Sequence, residues 1–248
     1  MRIIAKLDVK PPFVVKPVHF EGLRKIGEPK TLASQYYAQE ADEIFYLDIV
    51  SSLYRREILF EEIKRTAEGV FVPFAVGGGV RNLDDMTRLF HCGADKVVIN
   101  TYALQHDPEL IDRAAHLFGS QSVVVNIEAK QWDGWWECYS DCGRERSGKD
   151  VLKWVKEAQE RGAGEVLLQS VDRDGRKAGF DIDLIANVKD KVSIPLVAAS
   201  GAGSLEDIRK VYLEAAPDAI ALASTLHYGI CDIGAIKKML NMDSKVGG

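Results

Sequence analysis

The second half of this chain repeats the first half at a spacing close to half of its 248 residues, and this repetition limits the possible folds. Residues 73–85 (PFAVGGGVRNLDD) correspond to residues 195–207 (PLVAASGAGSLED), and residues 94–101 correspond to residues 217–224. A nearly constant offset indicates two copies of one structural unit. Each copy ends an apolar strand with a carboxylate and has a glycine-rich turn downstream. We therefore expect two related binding sites that face one cavity.

Short runs of Val, Ile and Leu alternate with helical patterns along the whole chain. Strands are predicted near residues 2–9, 43–49, 72–76, 96–100, 123–129, 165–170, 195–199 and 219–223. Helices are predicted near residues 31–40, 57–67, 83–92, 108–118, 150–161, 182–189, 205–214 and 232–240. The strands are apolar on both faces, which is typical of a parallel sheet covered by helices. The pattern predicts an α/β fold, a (βα)8 TIM barrel with a two-fold half-barrel repeat, as one domain over residues 1–248.

The composition narrows the class of partner. With 46% hydrophobic and 28% charged residues, the chain has the make-up of an ordinary globular protein. A net charge of −5 argues against a nucleic-acid partner, because binding a phosphate backbone requires a basic surface. We find neither a signal peptide nor an apolar run long enough for a membrane, and expect a cytoplasmic protein. The four cysteines are scattered and form no zinc pattern, so we expect reduced thiols, no metal and no cofactor.

Two connections, residues 10–29 and 130–149, are longer than a barrel needs. Both follow a strand, which places them at the catalytic end of the barrel, where long loops commonly serve as lids. The second contains Trp132, Trp135 and Trp136. Its alternative interpretation is a small hairpin that packs its own aromatic side chains.

Two acids are the candidate catalytic residues. Asp8 ends the first predicted strand and Glu128 ends the fifth, which lies opposite in the barrel. A carboxylate at the C-terminal end of a barrel strand points towards the mouth. Two acids on either side of a substrate can divide proton donation and proton removal. The alternative is a pair of buried acids that neighbouring lysines or backbone amides satisfy.

Two glycine turns are candidate phosphate sites. Glycines let backbone amides approach an anion closely, and a following helix N-terminus adds positive potential. The residues concerned are Gly78, Gly79, Asn100 and Thr101 for the first site, and Gly201, Gly203 and Ser224 for the second. We expect a ligand with phosphates at two ends. The alternative is that the glycines serve only to reverse the chain.

Together these motifs resemble the cyclase subunit of imidazole glycerol phosphate synthase, over essentially the whole chain. The segments that carry the resemblance are residues 7–9 (LDV), 14–16 (VVK), 45–48 (FYLD), 76–81 (VGGGVR), 93–101 (GADKVVINT), 170–175 (SVDRDG) and 200–203 (SGAG). The resemblance implies substrate contacts at Lys16, Asp174 and Gly175. It also implies a heterodimer with a glutaminase subunit, which docks at the N-terminal end of the barrel and supplies ammonia through it.

The same resemblance assigns a gate to the bottom of the barrel. The four charged residues that would form the ammonia gate are Arg2, Glu43, Lys96 and Glu165, each at the start of a strand. Charges at this position are costly unless they are paired, so a purely stabilising ionic plug is the alternative. Asp95, beside Lys96, is placed to meet the glutaminase.

Several residues depart from the family pattern on the substrate side. Glu128 stands where the family usually has Asp, and a catalytic carboxylate displaced by about 1 Å can lose much of its rate. The other departures are Pro11, Pro12 and Pro17 in the first loop, Gln169 and Arg176 in place of Thr, and Ala199 in place of Ser. The gate is intact, so we expect that ammonia delivery is kept while the ammonia acceptor has changed.

A branch of the family fits that pattern. It works with a glutaminase to convert an acetamido sugar into an acetamidino sugar for bacterial surface polysaccharide. Residues 18–27, 52–54, 127–130 and 143–146 resemble this branch. Our leading expectation is therefore sugar amidation on a phosphorylated or nucleotide-linked substrate, with an ATP-using amidating enzyme as a further candidate partner. The alternatives are a true imidazole glycerol phosphate synthase cyclase of histidine biosynthesis and a non-catalytic scaffold that conducts ammonia.

Overall fold

The structure is a computed structural model that describes residues 1–18, 21–52, 54 and 57–246. The strands, in chain order, are β1 (Arg2–Lys10), β2 (Phe13–Val18), β3 (Glu21–Gly27), β4 (Glu43–Asp48), β5 (Phe74–Gly77), β6 (Lys96–Ile99), β7 (Val123–Trp132), β8 (Trp135–Ser140), β9 (Glu145–Asp150), β10 (Glu165–Ser170), β11 (Leu196–Ala199) and β12 (Ala219–Leu222). The helices are α1 (Pro29–Ala38), α2 (Phe60–Ala67), α3 (Leu83–His91), α4 (Thr101–Gln105), α5 (Glu109–Phe118), α6 (Val151–Glu160), α7 (Ile182–Lys189), α8 (Leu205–Glu214), α9 (Ser224–His227) and α10 (Ile233–Val246).

Eight of these strands close into a parallel barrel. Their order is β10, β11, β12, β1, β4, β5, β6 and β7, and β7 pairs with β10 to complete the circle. Every neighbouring pair in this circle is parallel, and helices connect successive strands on the outside. The predicted (βα)8 barrel is therefore confirmed. A single domain over residues 1–248 stays a prediction, and residues 247 and 248 lie outside the described range.

Side chains inside the barrel form layers along its axis, because alternate residues of a strand point to opposite faces. Ile3, Ala5 and Leu7 belong to the core between sheet and helices, whereas Ile4 belongs to a separate cluster inside the barrel. Along β1, the inward positions from bottom to top are Arg2, Ile4, Lys6 and Asp8; along β10 they are Glu165, Leu167 and Gln169. Charged, apolar and polar layers thus succeed one another between the bottom and the mouth.

The half-barrel repeat extends to individual hydrogen bonds. Asn82 caps α3 by accepting from the backbone N–H of Asp85 at 2.8 Å, and Ser204 caps α8 by accepting from that of Asp207 at 3.1 Å. Each of these aspartates accepts in return from the backbone N–H four residues before it, at 2.9 Å in both halves. These reciprocal bonds satisfy amide groups that a helix N-terminus leaves free, so equivalent polar residues recur in the two halves.

The two long connections are antiparallel excursions from barrel strands. β2 and β3 form a hairpin that leaves β1 through the turn at Pro11 and Pro12, while β8 and β9 extend β7 into a meander. Trp132 pairs with Trp135 across the β7–β8 turn, and the Arg146 guanidinium lies 4.5 Å from the Trp132 ring centroid. The segment therefore contains the hairpin of the alternative interpretation, while the packing of its aromatic side chains on one another stays a prediction. Within residues 18–27 and 52–54, residues 19, 20 and 53 lie outside the described residues.

Element boundaries differ from the predicted ones mainly in the helices. α2 begins at Phe60 instead of residue 57, because Ile58 is buried as part of the core before the helix starts. The short helices α4 and α9 follow β6 and β12 in equivalent positions and were not predicted. Five or fewer residues carry too weak a periodicity to show in a sequence. Among the described residues, no helix combines the length and the apolar character that a membrane span requires.

Candidate active site

Asp8 and Glu128 lie at the same rim of the barrel and line one cavity of about 560 Å³. β1 carries Asp8 and β7 carries Glu128, and both side chains are buried. Other lining residues come from the ends of the barrel strands and from the β8–β9 loop: Asp48, Gly78, Gly79, Asn100, Thr101, Asn126, Asp141, Cys142 and Gln169. The predicted meeting of the two acids is thus present in the structure.

The surroundings of Glu128 favour its protonated form. Burial raises the pKa of this carboxyl group to about 7. The backbone N–H of Gly143 donates a hydrogen bond to Glu128 Oε2 at 2.8 Å, and the Asn100 side chain also interacts with the group. Both contacts favour the carboxylate but do not outweigh its desolvation. Near neutral pH this acid is consequently balanced between donating and accepting a proton.

The surroundings of Asp8 favour its ionised form. Burial opposes ionisation, but attraction by Lys6 and Lys16 prevails and lowers the pKa of Asp8 below its ordinary value. Lys6 Nζ lies 2.8 Å from Asp8 Oδ1, and Lys16 Nζ lies 3.3 Å from Asp8 Oδ2. Lys16 also contacts Asp174 at 3.1 Å, so β2 places this lysine between two buried carboxylates. The surroundings therefore shift the pKa values of the two candidate acids in opposite directions, as acid–base catalysis requires.

The β8–β9 loop covers part of the cavity. The backbone N–H of Asp141 donates to Thr101 Oγ1 at 3.1 Å, and the Cys142 thiol donates to the Ile49 carbonyl at 2.7 Å. Together with the bond from Gly143 to Glu128, these contacts attach the loop to the ends of three barrel strands. The predicted position of a lid above the catalytic end matches this arrangement.

The first glycine turn lies on the wall of the large cavity. Gly78, Gly79, Asn100 and Thr101 all line it. A Cβ at Gly78 would meet the Asp48 carbonyl oxygen at 2.2 Å, and the residue has φ +108°. The close approach of a neighbouring backbone therefore requires glycine here, whatever the ligand. The same holds for Gly201, where a Cβ would meet the Gly179 carbonyl oxygen at 2.3 Å.

The second glycine turn lines a separate and much smaller pocket, of about 20 Å³. Its lining includes Lys6, Lys16, Asp174, Gly175, Lys177, Ser200, Gly201 and Ser224. Gly203 is not among the described lining residues, and a Cβ at this position would meet the Lys177 carbonyl oxygen at 2.2 Å. The structure therefore brings Lys16, Asp174, Gly175, Gly201 and Ser224 together as predicted, with Gly203 behind them.

The four predicted gate residues form one ion-pair network at the bottom of the barrel. Lys96 contacts Glu43 and Glu165, each at 2.8 Å. Arg2 contacts Glu43 at 2.6 Å and also pairs with Glu165. Both glutamates are buried, and burial raises the pKa of Glu43 in spite of its cationic neighbours. Two acids and two cations alternate around the axis, a geometry that suits either a gate or a plug.

Asp95, the predicted docking residue, is exposed and also has a structural partner. Its Oδ2 accepts a hydrogen bond from the backbone N–H of Phe74 at 2.9 Å. In the second half, Asp218 accepts from the N–H of Leu196 at 2.8 Å in the same way. Asp95 thus ties β6 to β5, and its role in docking stays a prediction. In the described part of the chain, no three His, Cys, Asp or Glu side chains converge as a metal site would require.

Four residues of the site were not predicted from the sequence: Lys6, Asn126 and the lid residues Asp141 and Cys142. Lys6 could have been found, because it occupies the inward position between Arg2 and Asp8 on the first strand. The lid residues carry no such signal, since a loop's position above a cavity depends on tertiary contacts.

Comparison with known proteins identifies the family. Residues 2–232 match the family model described as histidine biosynthesis protein. An imidazole glycerol phosphate synthase subunit HisF from Legionella pneumophila is 51% identical over 208 residues, covering 84% of this chain and 98% of that protein. Proteins of the same name from Myxococcus xanthus and Pyrobaculum aerophilum are each 46% identical, covering 96% and 97% of this chain and 94% and 95% of their own lengths.

These relatives correct the leading functional expectation. Sugar amidation for surface polysaccharide is wrong as the principal reading, because relatives between 44% and 51% identical are named for the histidine-pathway synthase. Glu128, Gln169 and the prolines of the first loop therefore do not by themselves indicate a new acceptor. The chain belongs to the histidine biosynthesis protein family and, within it, to the family of imidazole glycerol phosphate synthase subunit HisF.

Proposed function

We propose that this chain is the cyclase subunit of imidazole glycerol phosphate synthase in histidine biosynthesis. The observation that carries the proposal is the pair of buried acids on one cavity, with Asp8 held ionised by two lysines and Glu128 held near its point of half-protonation. Addition of ammonia, departure of a leaving group and ring closure each move a proton. Asp8 serves as the proton acceptor and Glu128 as the donor that can reverse its role.

Ammonia reaches this cavity from the bottom of the barrel in our proposal. The gate network of Arg2, Glu43, Lys96 and Glu165 stands at the entrance, and the apolar interior cluster lies above it. Neutral ammonia crosses an apolar layer far more readily than ammonium, because burying an unpaired charge is costly. A glutaminase subunit that docks around exposed Asp95 would deliver ammonia at this end, and the working unit would be their heterodimer.

The substrate is a long bisphosphate with one phosphate at each glycine turn. Gly78, Gly79, Asn100 and Thr101 would hold one phosphate on the wall of the large cavity. Lys16, Gly175, Gly201 and Ser224 would hold the other, with Asp174 orienting Lys16 and Gly203 supporting the turn. The second pocket is small in this structure, so the proposal requires it to widen when the ligand binds. All four cysteines are free thiols, which is compatible with the proposed cytoplasmic location.

An ammonia-dependent assay tests this function. Purified protein with the histidine-pathway substrate and ammonium salts should show cyclase turnover, and the gene should complement a histidine auxotroph when a glutaminase is present. Asp8→Asn and Glu128→Gln should each lower kcat by at least about a hundredfold. The matched control Asp133→Asn, an exposed acid beyond the end of β7, should retain wild-type turnover. Absence of turnover with ammonium and of growth in the auxotroph would contradict the proposal.

A further inference from the structure

A polar layer lies inside the barrel between the apolar cluster and the two acids. Lys6 Nζ donates a hydrogen bond to Gln169 Oε1 at 2.6 Å, and Gln169 Nε2 donates to Asn126 Oδ1 at 2.9 Å. Lys6, Gln169 and Asn126 belong to β1, β10 and β7, and all three side chains are buried. A continuous polar chain therefore joins three strands across the barrel.

The layer contacts both candidate catalytic strands just below their acids. Lys6 stands two residues before Asp8 on the same face of β1, and its ammonium lies 2.8 Å from Asp8 Oδ1. Asn126 stands two residues before Glu128 on β7, and Gln169 is the register partner of Glu128 on β10. Gln169 and Asn126 also line the large cavity. Their hydrogen bonds fix the distances between the strands that carry the acids.

A buried lysine is costly unless its charge is balanced. Here the cost is offset by the ion pair with Asp8 and by the Gln169 carbonyl group, both within 2.8 Å. The gate does not account for a cation at this position, and although Lys6 lines the second pocket, its ammonium contacts Asp8 and Gln169. Among the described residues, the Asp8 carboxylate is its only ion-pair partner at contact distance, which links the lysine to the chemistry of Asp8, and Lys6 also attracts the Glu128 carboxylate.

We propose that Lys6 is a positioning residue of the reaction, which holds the Asp8 carboxylate ionised and correctly oriented from below, while Gln169 and Asn126 anchor it to the strand of Glu128. The inference rests on the proposed acid–base function of Asp8. Lys16 approaches the other oxygen of Asp8 from the β2 hairpin, so each oxygen of the carboxylate forms an ion pair with one ammonium group. Pairing on both oxygens restricts rotation of the Asp8 carboxylate. Proton transfer is faster when the catalytic group is already held in the reactive orientation.

The ionisation of Asp8 depends on charged groups from several elements. Lys6 on β1 and Lys16 on β2 attract it, and His227 on α9 adds a weaker favourable contribution. Burial lowers the pKa of His227 to about 4, so this ring is neutral near pH 7 and the two lysines dominate. Glu128 faces the site from β7 and is largely protonated below pH 7. Loss of the Lys6 charge should therefore raise the pKa of Asp8.

A titration without substrate tests the inference independently of turnover. The carboxyl carbons of Asp and Glu would be labelled with carbon-13 and followed by NMR over pH, with the Asp8 signal identified by its loss in Asp8→Asn. In the wild type, Asp8 should stay ionised below the pH at which an ordinary aspartate is half-protonated. In Lys6→Gln or Lys6→Met, whichever folds as judged by circular dichroism, its midpoint should rise by about one pH unit or more. The exposed control Lys153→Met should leave it unchanged.

Kinetics supply the second arm. Lys6→Gln should lower kcat by at least about tenfold with a smaller change in KM, and the acid limb of its pH–rate profile should move to higher pH. An Asp8 signal that titrates normally in the wild type, or an unchanged midpoint in a folded Lys6 variant, would overturn the inference. If wild-type protein showed no cyclase turnover while the titration behaved as expected, the proposed function would fail and the electrostatic role of Lys6 would stand.

Discussion

At the scale of single residues, neighbouring charges distinguish two otherwise similar carboxyl groups. Asp8 has an ammonium on each oxygen, whereas Glu128 accepts from the Gly143 backbone amide and contacts the neutral Asn100 side chain. The pKa of Asp8 is lowered and that of Glu128 is raised to about 7. Opposite shifts of this kind are a recognised mark of acid–base sites, although structural ion pairs also produce them.

The raised pKa of Glu128 predicts how stability changes with pH. Below about pH 4.5 the group is protonated in both the folded and the unfolded protein. Between that value and about pH 7 only the unfolded chain releases the proton, so the free energy of unfolding falls as pH rises through this window. Glu128→Gln should remove that part of the decline, roughly 1–3 kcal/mol. Urea unfolding at pH 5 and pH 8 measures it, and equal slopes for wild type and variant would contradict the assignment.

Shortening Glu128 tests how strictly its length matters. Glu128→Asp withdraws the carboxyl group by about one methylene from Gly143 N–H, which it now contacts at 2.8 Å. We expect kcat to fall by roughly 10- to 100-fold, because displacement of about 1 Å is costly to catalysis. A steady-state comparison with the same substrate measures this change. Undiminished activity in Glu128→Asp would show that the lid contact is unimportant.

At the scale of elements, the half-barrel repeat makes equivalent helix ends comparable. Asn82 caps α3 and Ser204 caps α8 through the same bond to the third residue of each helix. Asn82→Ala and Ser204→Ala should each lower the free energy of unfolding by about 1 kcal/mol, and the two effects should add because the sites are far apart. Equilibrium urea unfolding measures both variants and the double variant. A strongly unequal pair of losses would mean that the two halves do not share this stabilising role.

At the scale of the whole molecule, the proposed gate network would connect stability with ammonia delivery. Lys96→Met leaves two buried glutamates with Arg2 as their remaining cation in the network. The free energy of unfolding should fall by about 3 kcal/mol, because a buried charge loses its partner. If the glutaminase docks as proposed, the ratio of glutamine-dependent to ammonium-dependent turnover should fall as well. Lys30→Met, which breaks an exposed pair with Glu68, is the matched control and should change neither quantity appreciably.

A gate that acts only as a plug would give a different result in that experiment. Stability would fall in Lys96→Met, but the ratio of the two turnovers would match that of the wild type. The comparison therefore separates the two interpretations that the geometry of the network allows.

The fold was predictable because its determinants are local and repeated. Apolar strands, amphipathic helices and cap residues such as Asn82 and Ser204 recur in both halves. Each of these two cap residues accepts a hydrogen bond from a backbone N–H in the first turn of the helix that follows it. The positions of Asp8 and Glu128 followed from the barrel alone, since every barrel strand ends at the same rim. The gate residues and most of the proposed phosphate residues were likewise found together, although the family resemblance, not the periodicity, had assigned them.

What the sequence by itself determined was the barrel, the shared rim of the two acids and the family. Tertiary structure alone decided how those acids are charged. Lys16 contacts Asp8 because the β2 hairpin folds back over β1. Gln169 accepts a hydrogen bond from Lys6 inside the barrel, and the Gly143 N–H of the β8–β9 loop donates one to Glu128. The two residues in each of these contacts belong to different elements, so neither the helical nor the strand period of the sequence indicates that they meet. Protonation depends on burial and on charges within a few ångströms, and those distances exist only once the chain has closed into the barrel.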